Sequence, residues 1–394
     1  MSEISAAIGF NLIVISPTIA LVGTALVLLF FTITIESNEI VKKSITFLGM
    51  LITSFCVFLK FGLFFENGVS SYFTQKILLD EFSLFGNVLI SLILLFNFLP
   101  IWDSSKQLKE KTTEAIILTL MSASGFMLMV DSENLIMLFI GLEIGSISLY
   151  ALAGLNRGDK LSNEASLKYF LLGSLASCIL IYGVSLVYVS FSVFSVYNFA
   201  LGIAYVGPDS VPLTTSIGVL LIFIGLLFKI AAAPFQSWAP DVYQGSPTGY
   251  VGFMSSIAKV SSFIVIARLC LVSINFIIED FNSFFLIVII SSALIGSLFA
   301  SIQEDLKRLL AYSGVVQSGF ILSGIVSGIN GTSASMFYLF TYILQLIGIF
   351  MIFSIINGKL SSEFNIQSIQ GLFINNRFLA TSFCVFMFGL AGIP

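Results

Sequence analysis

Eleven stretches of about twenty predominantly apolar residues, and part of a twelfth, follow one another along this chain. That repetition constrains the fold more than any other feature. A helix needs roughly twenty apolar residues to cross about 30 Å of hydrocarbon. Each stretch must be helical, because lipid offers no partner to backbone N–H and C=O groups. The limits fall near 11–34, 44–65, 81–102, 113–131, 134–156, 164–192, 213–235, 248–274, 283–302, 306–328, 332–357 and 377–394. The expected architecture is an all-α, polytopic membrane protein.

Composition removes whole classes of function. Hydrophobic residues make up 57% of the 394 and charged residues 10%, against about 25% charged in soluble domains; this excludes a soluble enzyme. No basic tract suggests nucleic acid. The chain has no histidine, which removes the commonest general base, metal ligand and haem ligand. Its four cysteines, Cys56, Cys178, Cys270 and Cys384, stand singly within apolar runs and read as small core residues rather than metal ligands. The N-terminus lacks a basic region and a cleavage site, so the first run reads as a retained span. Most linkers are short and polar. The 66–80 segment reads as a hairpin or interfacial piece, and 193–212, with Pro208 and Pro212, as a connection.

The basic residues give the orientation. Odd-numbered loops carry Lys42, Lys43, Lys106, Lys109, Lys111, Arg157, Lys160, Lys307, Arg308, Lys359 and Arg377; even-numbered loops carry only Lys60, Lys76 and Arg268. The bias places the odd loops on the cytoplasmic or matrix side and the N-terminus outside. Three lysines then belong to no loop: Lys168, Lys229 and Lys259. Among the acids only Glu143 stands mid-run, in NLIMLFIGLEIGSISLYAL. Four consecutive spans, the fifth to the eighth, each put one ionisable group into the membrane interior. A charge at the bilayer centre costs about 2.5–3.5 kcal/mol on insertion scales. An acid near bases in low dielectric couples their titrations, which is what a switchable proton-handling site requires. The competing reading is a set of static ion pairs that fix helix register. For Lys168, a few residues into its span, snorkelling to the interface competes as well.

The seventh span has a second unusual feature. In LLIFIGLLFKIAAAPFQSWAPDVYQGSPT, Pro234 follows Lys229, and Pro240 and Pro247 come soon after. Proline removes a backbone donor and clashes with the preceding turn, so the helix should break near 231–234. Broken helices at membrane depth are tolerated where freed groups line a hydrated cavity; the freed carbonyls and Lys229 would then share one hydrated site. A plain helix end, with Trp238 and Tyr243 as an interfacial belt, is the simpler alternative. Glu304, Asp305, Lys307 and Arg308 fit a charged, capped start to the tenth span. Gln345, the one strongly polar side chain of the eleventh, could bridge helices or orient water.

At these residues the chain resembles a known family. LFIGLEIGSISLYAL, ASLKYFLLGSLAS, LFKIAAAPFQSWAPDVYQGSPT, SIAKVSSF and EDLKRLLAYSG occur in an order similar to that of the antiporter-like subunits of respiratory NADH:quinone oxidoreductase (complex I), over about residues 80–394. WAPDVYQGSPT is more similar to the subunit N type than to L or M. The resemblance implies an antiporter-like fold of fourteen helices with two inverted five-helix repeats, each with a discontinuous helix. Residues 1–112 would form helices 1–3, 113–275 the first repeat, and 276–394 a second, incomplete repeat. It implies a proton-translocating role in which Glu143 modulates Lys229, with Lys168 and Lys259 as bridging lysines. It implies that NADH, FMN, iron–sulfur clusters and quinone belong to other subunits, so that none is held here. The implied partners are the bilayer and the membrane-arm subunits M and K. The implied location is a bacterial inner membrane, or the mitochondrial inner membrane if organellar. A cation/proton antiporter subunit and a structural scaffold with static ion pairs stand as alternatives.

Two departures from the family pattern stand out. Family members often carry a histidine after the seventh-helix Pro-Phe, where this chain has Gln236, which cannot take up a proton at physiological pH. The sequence also stops at FMFGLAGIP, before the twelfth-helix lysine the family would place next. On that ground it reads as C-terminally truncated.

Overall fold

The structure is a computed structural model that describes residues 2–34, 39–107, 112–207, 210–273, 278–357 and 364–393. Lys109, Lys111 and Lys359, used above for orientation, lie outside the described residues, and nothing is described of the Lys106 side chain.

The long elements are α1 (Ser2–Thr34), α2 (Glu39–Asn67), α3 (Glu81–Gln107), α4 (Thr112–Asp131), α5 (Leu135–Ala153), α6 (Lys160–Phe191), α8 (Leu213–Lys229), α10 (Thr248–Arg268), α11 (Ile278–Ser301), α12 (Leu306–Val326) and α13 (Ile329–Asn357). Shorter helices are α7 (Val196–Val206), α9 (Trp238–Gly245), α14 (Leu372–Asn375) and α15 (Arg377–Leu390). Among the described residues, ten helices are long and apolar enough to cross a membrane. The seventh span is not one of them, because α8 stops at Lys229 after 17 residues.

Two linkers take shape. Within 66–80, strand β1 (Ser70–Tyr72) pairs antiparallel with β2 (Ile77–Leu79), giving the hairpin expected of that segment. The 193–212 connection contains a helix, α7, which the two prolines at its far end concealed. Ser195 caps it by accepting from Asn198 N. Bridges Ile77↔Ser132 and Asn134↔Ser195 gather the hairpin, the α4–α5 turn and the start of α7 at one end of the bundle. Asp305↔Asn365 lies at the other.

α10 is the centre. It packs against α3, α13, α4, α8, α5, α12 and α9, and every one of its residues is buried. α4 and α5 approach so closely that a Cβ on Gly125 would lie 2.4 Å from Gly145 N, so only glycine fits there. α1, α2 and α11 present broad apolar faces outward, among them Phe30, Phe58 and Leu298.

Several charges read as loop residues are buried ion pairs. Lys60, at 0% exposure, donates to both oxygens of Asp131 at 2.9 and 2.8 Å, and Asn87 Nδ2 also donates to Asp131. Arg268 clasps Asp80 at 2.6 and 2.9 Å and also donates to the carbonyls of Val130 and Ser132. Lys60 and Arg268 therefore do not count as even-loop charges, and Glu143 is not the only acid away from water. Asp80, Asp131 and Arg268 sit at helix ends and Lys60 about two turns from one, where sequence position alone does not separate a loop from a buried contact. Lys307 is likewise buried and donates to Ser246 O at 3.0 Å. The cysteines divide: Cys270 is buried as expected, whereas Cys178 and Cys384 are exposed on outward apolar faces.

Candidate functional site: a lysine at a broken helix

α5 brings three polar groups to one face. Its N-terminus is fixed by Asn134, whose Oδ1 accepts from Ile136 N and Met137 N. Glu143, Ser146 and Tyr150 follow at spacings of three and four, the period that stacks side chains on one side of a helix. Against that face lies Lys229, 2% exposed, whose Nζ donates to Ser146 Oγ at 3.0 Å and Tyr150 OH at 2.8 Å. Glu143 does not bond Lys229 directly; it acts on it electrostatically. The Glu143 Oε1 is buried with no hydrogen-bond partner among the described residues. The pair Glu143–Lys229 is thus brought together, with two hydroxyls beside the ammonium.

Lys229 is the last residue of α8, and the ending is specific. Ala231 N donates to Phe228 O at 3.0 Å and Ala232 N to Leu227 O at 3.1 Å, with Ala231 at φ 55°. This is a Schellman termination with alanine where glycine is usual. The helix therefore stops before Pro234 is reached, and the proline, with a cis Ala233–Pro234 bond, only prevents resumption. An alanine in the left-handed region costs on the order of 1 kcal/mol, so the surrounding contacts must hold it. They are protein contacts. Trp238 Nε1 donates to Phe228 O at 3.0 Å, Ser318 Oγ to Ile230 O at 2.8 Å, and Ala233 N to Ser292 Oγ at 2.9 Å. The freed backbone groups were expected to line a hydrated site with Lys229. They instead meet serines of α11 and α12 and a tryptophan of α9, which leaves Lys229 with the hydroxyls of α5.

α9 is fixed along its length. Trp238 and Tyr243, offered above as an interfacial belt, are 5% and 3% exposed. Trp238 stacks on Tyr169 at 4.6 Å, and Tyr169 meets Tyr150 edge-on at 4.6 Å. Asp241 accepts from Lys168 at 2.6 Å through one oxygen and from Arg308 at 2.6 Å through the other. Burial pushes the Asp241 carboxyl up, but the hydrogen bonds from Lys168 and Arg308 outweigh it and hold it below the usual carboxylate range. Lys168 is 41% exposed and also pairs with Glu164 at 2.7 Å. It thus lies at the surface of the bundle, unlike the enclosed Lys229 and Lys259. Its partners among the described residues are Asp241 and Glu164 rather than Glu143, and it ties α6 to α9.

Lys259, 3% exposed on α10, has no carboxylate partner among the described residues. Its Nζ donates to Gly314 O at 2.6 Å, and to Ser318 Oγ and Tyr342 OH, each at 3.3 Å. Ser318 therefore touches both Lys259 and the carbonyl next to Lys229. Further along, Tyr338 donates to Gln317 Oε1 and Gln317 Nε2 to Leu390 O at 2.9 Å, carrying polar contacts from α13 and α12 to the end of α15. Gln236 is half-buried, its Oε1 without a hydrogen-bond partner among the described residues, beside the exposed Pro234. Gln345 packs against Gly389, bringing α13 and α15 together. Among the described residues no group of three or more Cys, Asp or Glu could hold a metal ion. The chemistry the cluster offers is movement of protons between amines, a carboxylate and hydroxyls.

Ser146 and Tyr150 were not singled out from the sequence, although their helical spacing to Glu143 was a signal that could have found them. Asp241, Ser318 and Gly314 carried no comparable sign, because each acts through a residue distant in sequence.

Comparison with known proteins gives the same frame. Residues 132–394 match the family model described as NADH:quinone oxidoreductase/Mrp antiporter, TM. NADH-quinone oxidoreductase subunit N of Trichlorobacter lovleyi is 37% identical over 328 residues, which are 82% of this chain and 66% of that protein. The chain thus spans just under two thirds of the length of that relative. Subunit N of Hydrogenovibrio crunogenus is 34% identical over 382 residues, 94% of this chain and 77% of that one. In structure, the chain is similar to a chain of respiratory complex I from Thermus thermophilus, with TM-score 0.78, 25% identity, and coverage of 96% of this chain and 79% of that chain. A chain of the Mrp complex from Dietzia shares the fold, with TM-score 0.83, 20% identity, and coverage of 97% and 71%. With its antiporter-like fold, its broken helix and its buried lysines, the chain belongs to the NADH:quinone oxidoreductase/Mrp antiporter family, among the NADH-quinone oxidoreductase subunit N proteins.

Proposed function

We propose that this chain is a non-redox, proton-translocating subunit in the membrane arm of an NADH:quinone oxidoreductase. The observation that carries this reading is Lys229, buried at a helix break, bonded to Ser146 and Tyr150 and within electrostatic reach of Glu143. A carboxylate near a buried amine favours the ammonium form; neutralising or withdrawing that carboxylate favours release of the proton. Driven by quinone reduction elsewhere, a change at Glu143 would release the Lys229 proton towards the polar contacts around Lys259; Tyr338 and Gln317 carry a separate set of contacts to α15. The tyrosine and serine hydroxyls beside each amine orient the N–H groups. Gln236 cannot titrate, so any relay past it runs through water or hydroxyls.

In this reading NADH, FMN, iron–sulfur clusters and quinone stay on other subunits, and the expected neighbours are subunits M and K. The membrane is a bacterial inner membrane, or its mitochondrial counterpart, with the N-terminus outside. Residues 1–112 precede a first repeat over 113–275 and a second over 276–394.

The test is Lys229→Met and Glu143→Gln in the assembled complex. Quinone reduction and proton flux into sealed vesicles are measured together. Both variants should lower proton flux at least tenfold relative to wild type while the complex remains intact. Full flux in an intact Lys229→Met complex would sink the proposal.

A further inference from the structure

Tyr150, one of the two hydroxyl partners of Lys229, sits in a slot that α6 builds. Its ring meets Tyr169 edge-on at 4.6 Å and Phe170 edge-on at 6.0 Å. Gly173 follows about one turn later on the same face of α6 and forms the floor beneath the phenol head. A Cβ on Gly173 would collide with Tyr150. The three atoms nearest to it all belong to that phenol: the hydroxyl oxygen, the carbon that bears it and an adjoining ring carbon. The same oxygen accepts from Lys229 Nζ at 2.8 Å.

Ordinary helix packing leaves a different mark. Further along α6, a Cβ on Gly183 would lie 2.6 Å from Gly218 O and 2.8 Å from Ile222 N, which are backbone atoms of α8. That glycine lets two backbones approach. Gly173 makes room for one side chain instead. Lys259 has a matching set drawn from other helices. Its hydroxyl partners are Ser318 and Tyr342, and a Cβ on Gly314 would lie 2.6 Å from the amine and 2.9 Å from the tyrosine oxygen. Serine, tyrosine and glycine thus surround both buried amines.

A hydroxyl suits this place in both states of the amine. It accepts from the ammonium, and once the amine is neutral it can turn its own hydrogen towards the nitrogen. The amine keeps its direction throughout, and no proton has to rest on the tyrosine. Transfer depends steeply on such alignment, since a misplacement of about 1 Å can cost about 100-fold. With Tyr169 and Phe170 against the ring, a methyl group at position 173 would displace the hydroxyl from the amine.

We propose that Gly173 is a positioning residue for proton transfer at Lys229: its missing side chain is the seat that holds the Tyr150 hydroxyl against the ammonium. The inference rests on the proton-transfer reading of Lys229 and adds to it the residue that sets the geometry.

The test compares Gly173→Ala, Tyr150→Phe and the double variant in the assembled complex. Proton flux into sealed vesicles, per assembled complex, is measured in H₂O and in D₂O. Each single variant should lower flux about tenfold. Each should also raise the solvent isotope effect, because proton transfer at Lys229 becomes limiting; a loss of packing alone leaves that ratio unchanged. The double variant should be no slower than Tyr150→Phe, since no hydroxyl remains to be displaced. Gly202→Ala on α7 is the control: its Cβ would lie 2.7 Å from the Phe191 ring, a comparable clash without an amine beside it, and flux and isotope effect should stay at the wild-type values. If Gly173→Ala assembles too poorly to measure, the double variant against Tyr150→Phe decides. Wild-type flux in Gly173→Ala, an unchanged isotope effect, multiplied losses in the double variant, its failure to assemble, or an equal loss in Gly202→Ala would each overturn the proposal. Lys229→Met, measured alongside, separates the two levels. Reduced flux there with wild-type flux in Gly173→Ala removes this inference alone, whereas full flux in Lys229→Met removes both.

Discussion

The Lys259 ammonium lies 2.6 Å from the Gly314 carbonyl oxygen, and a Cβ on Gly314 would also lie 2.6 Å from that ammonium. α12 thus holds the central lysine with its backbone, and only the residue without a side chain allows the approach. Gly314→Ala should push the Lys259 Nζ away and also crowd Tyr342 OH, 2.9 Å from the added carbon. On the proton-transfer reading, flux in sealed vesicles should fall about tenfold, equivalent to about 1.4 kcal/mol of barrier. Unchanged flux would show that the position of Lys259 is not limiting.

Ser318 holds the helix break and Lys259 at once. Ser318→Ala leaves the Ile230 carbonyl buried without its donor, which should cost about 1–3 kcal/mol. Ser318→Thr keeps the hydroxyl and should recover most of it. Thermal unfolding of the detergent-solubilised protein distinguishes the two, with the alanine variant the less stable.

Ala231 occupies a left-handed position that favours glycine. Ala231→Gly removes that penalty but gives the unfolded chain more freedom. The net gain should be about 0.5–1 kcal/mol, seen as a small rise in unfolding temperature. A loss of stability would mean that the alanine methyl packs better than the backbone cost suggests.

The Lys60–Asp131 pair is wholly enclosed at the hairpin end. Lys60→Met alone strands a buried carboxylate and should destabilise by about 3–5 kcal/mol, whereas Lys60→Met with Asp131→Leu should come close to neutral. A double-mutant cycle on unfolding gives the comparison. A double variant as unstable as the single one would mean that the pair has a role beyond mutual neutralisation.

The Asp241 carboxyl is held below the usual carboxylate range. A depressed native value means that its contribution to stability is present above the unfolded-state value and lost as pH falls through the native one. The attachment of α9 to Lys168 and Arg308 should therefore be constant from neutral pH down to about 5 and weaken only in stronger acid. Asp241→Asn should abolish that acid-dependent step. Hydrogen exchange of the α9 amides against pH reads this directly.

The sequence made the crossings legible because apolar length is a local property, and it made Glu143, Lys229 and Lys259 legible because charge is rare inside such runs. It could not separate a charge near a helix end that faces a loop from one that turns inward. Lys60 and Arg268 have their partners 71 and 188 residues away. Nor could the sequence show that Lys168, several residues inside its helix, is partly exposed and pairs with Asp241, 73 residues away. The helix break was legible from Pro234, but its cause lies earlier, in backbone hydrogen bonds around Ala231 that composition does not encode.

The segment after the break is anchored by Trp238 against Tyr169, by Asp241 between Lys168 and Arg308, and by Lys307 on the carbonyl of Ser246. A piece of chain pinned at three points to two other helices, α6 and α12, cannot swing as a gate. On the proton-transfer reading, whatever alternates beside this segment does so by exchange of side-chain partners, a few ångströms of amine and hydroxyl moving against a wall that stays in place.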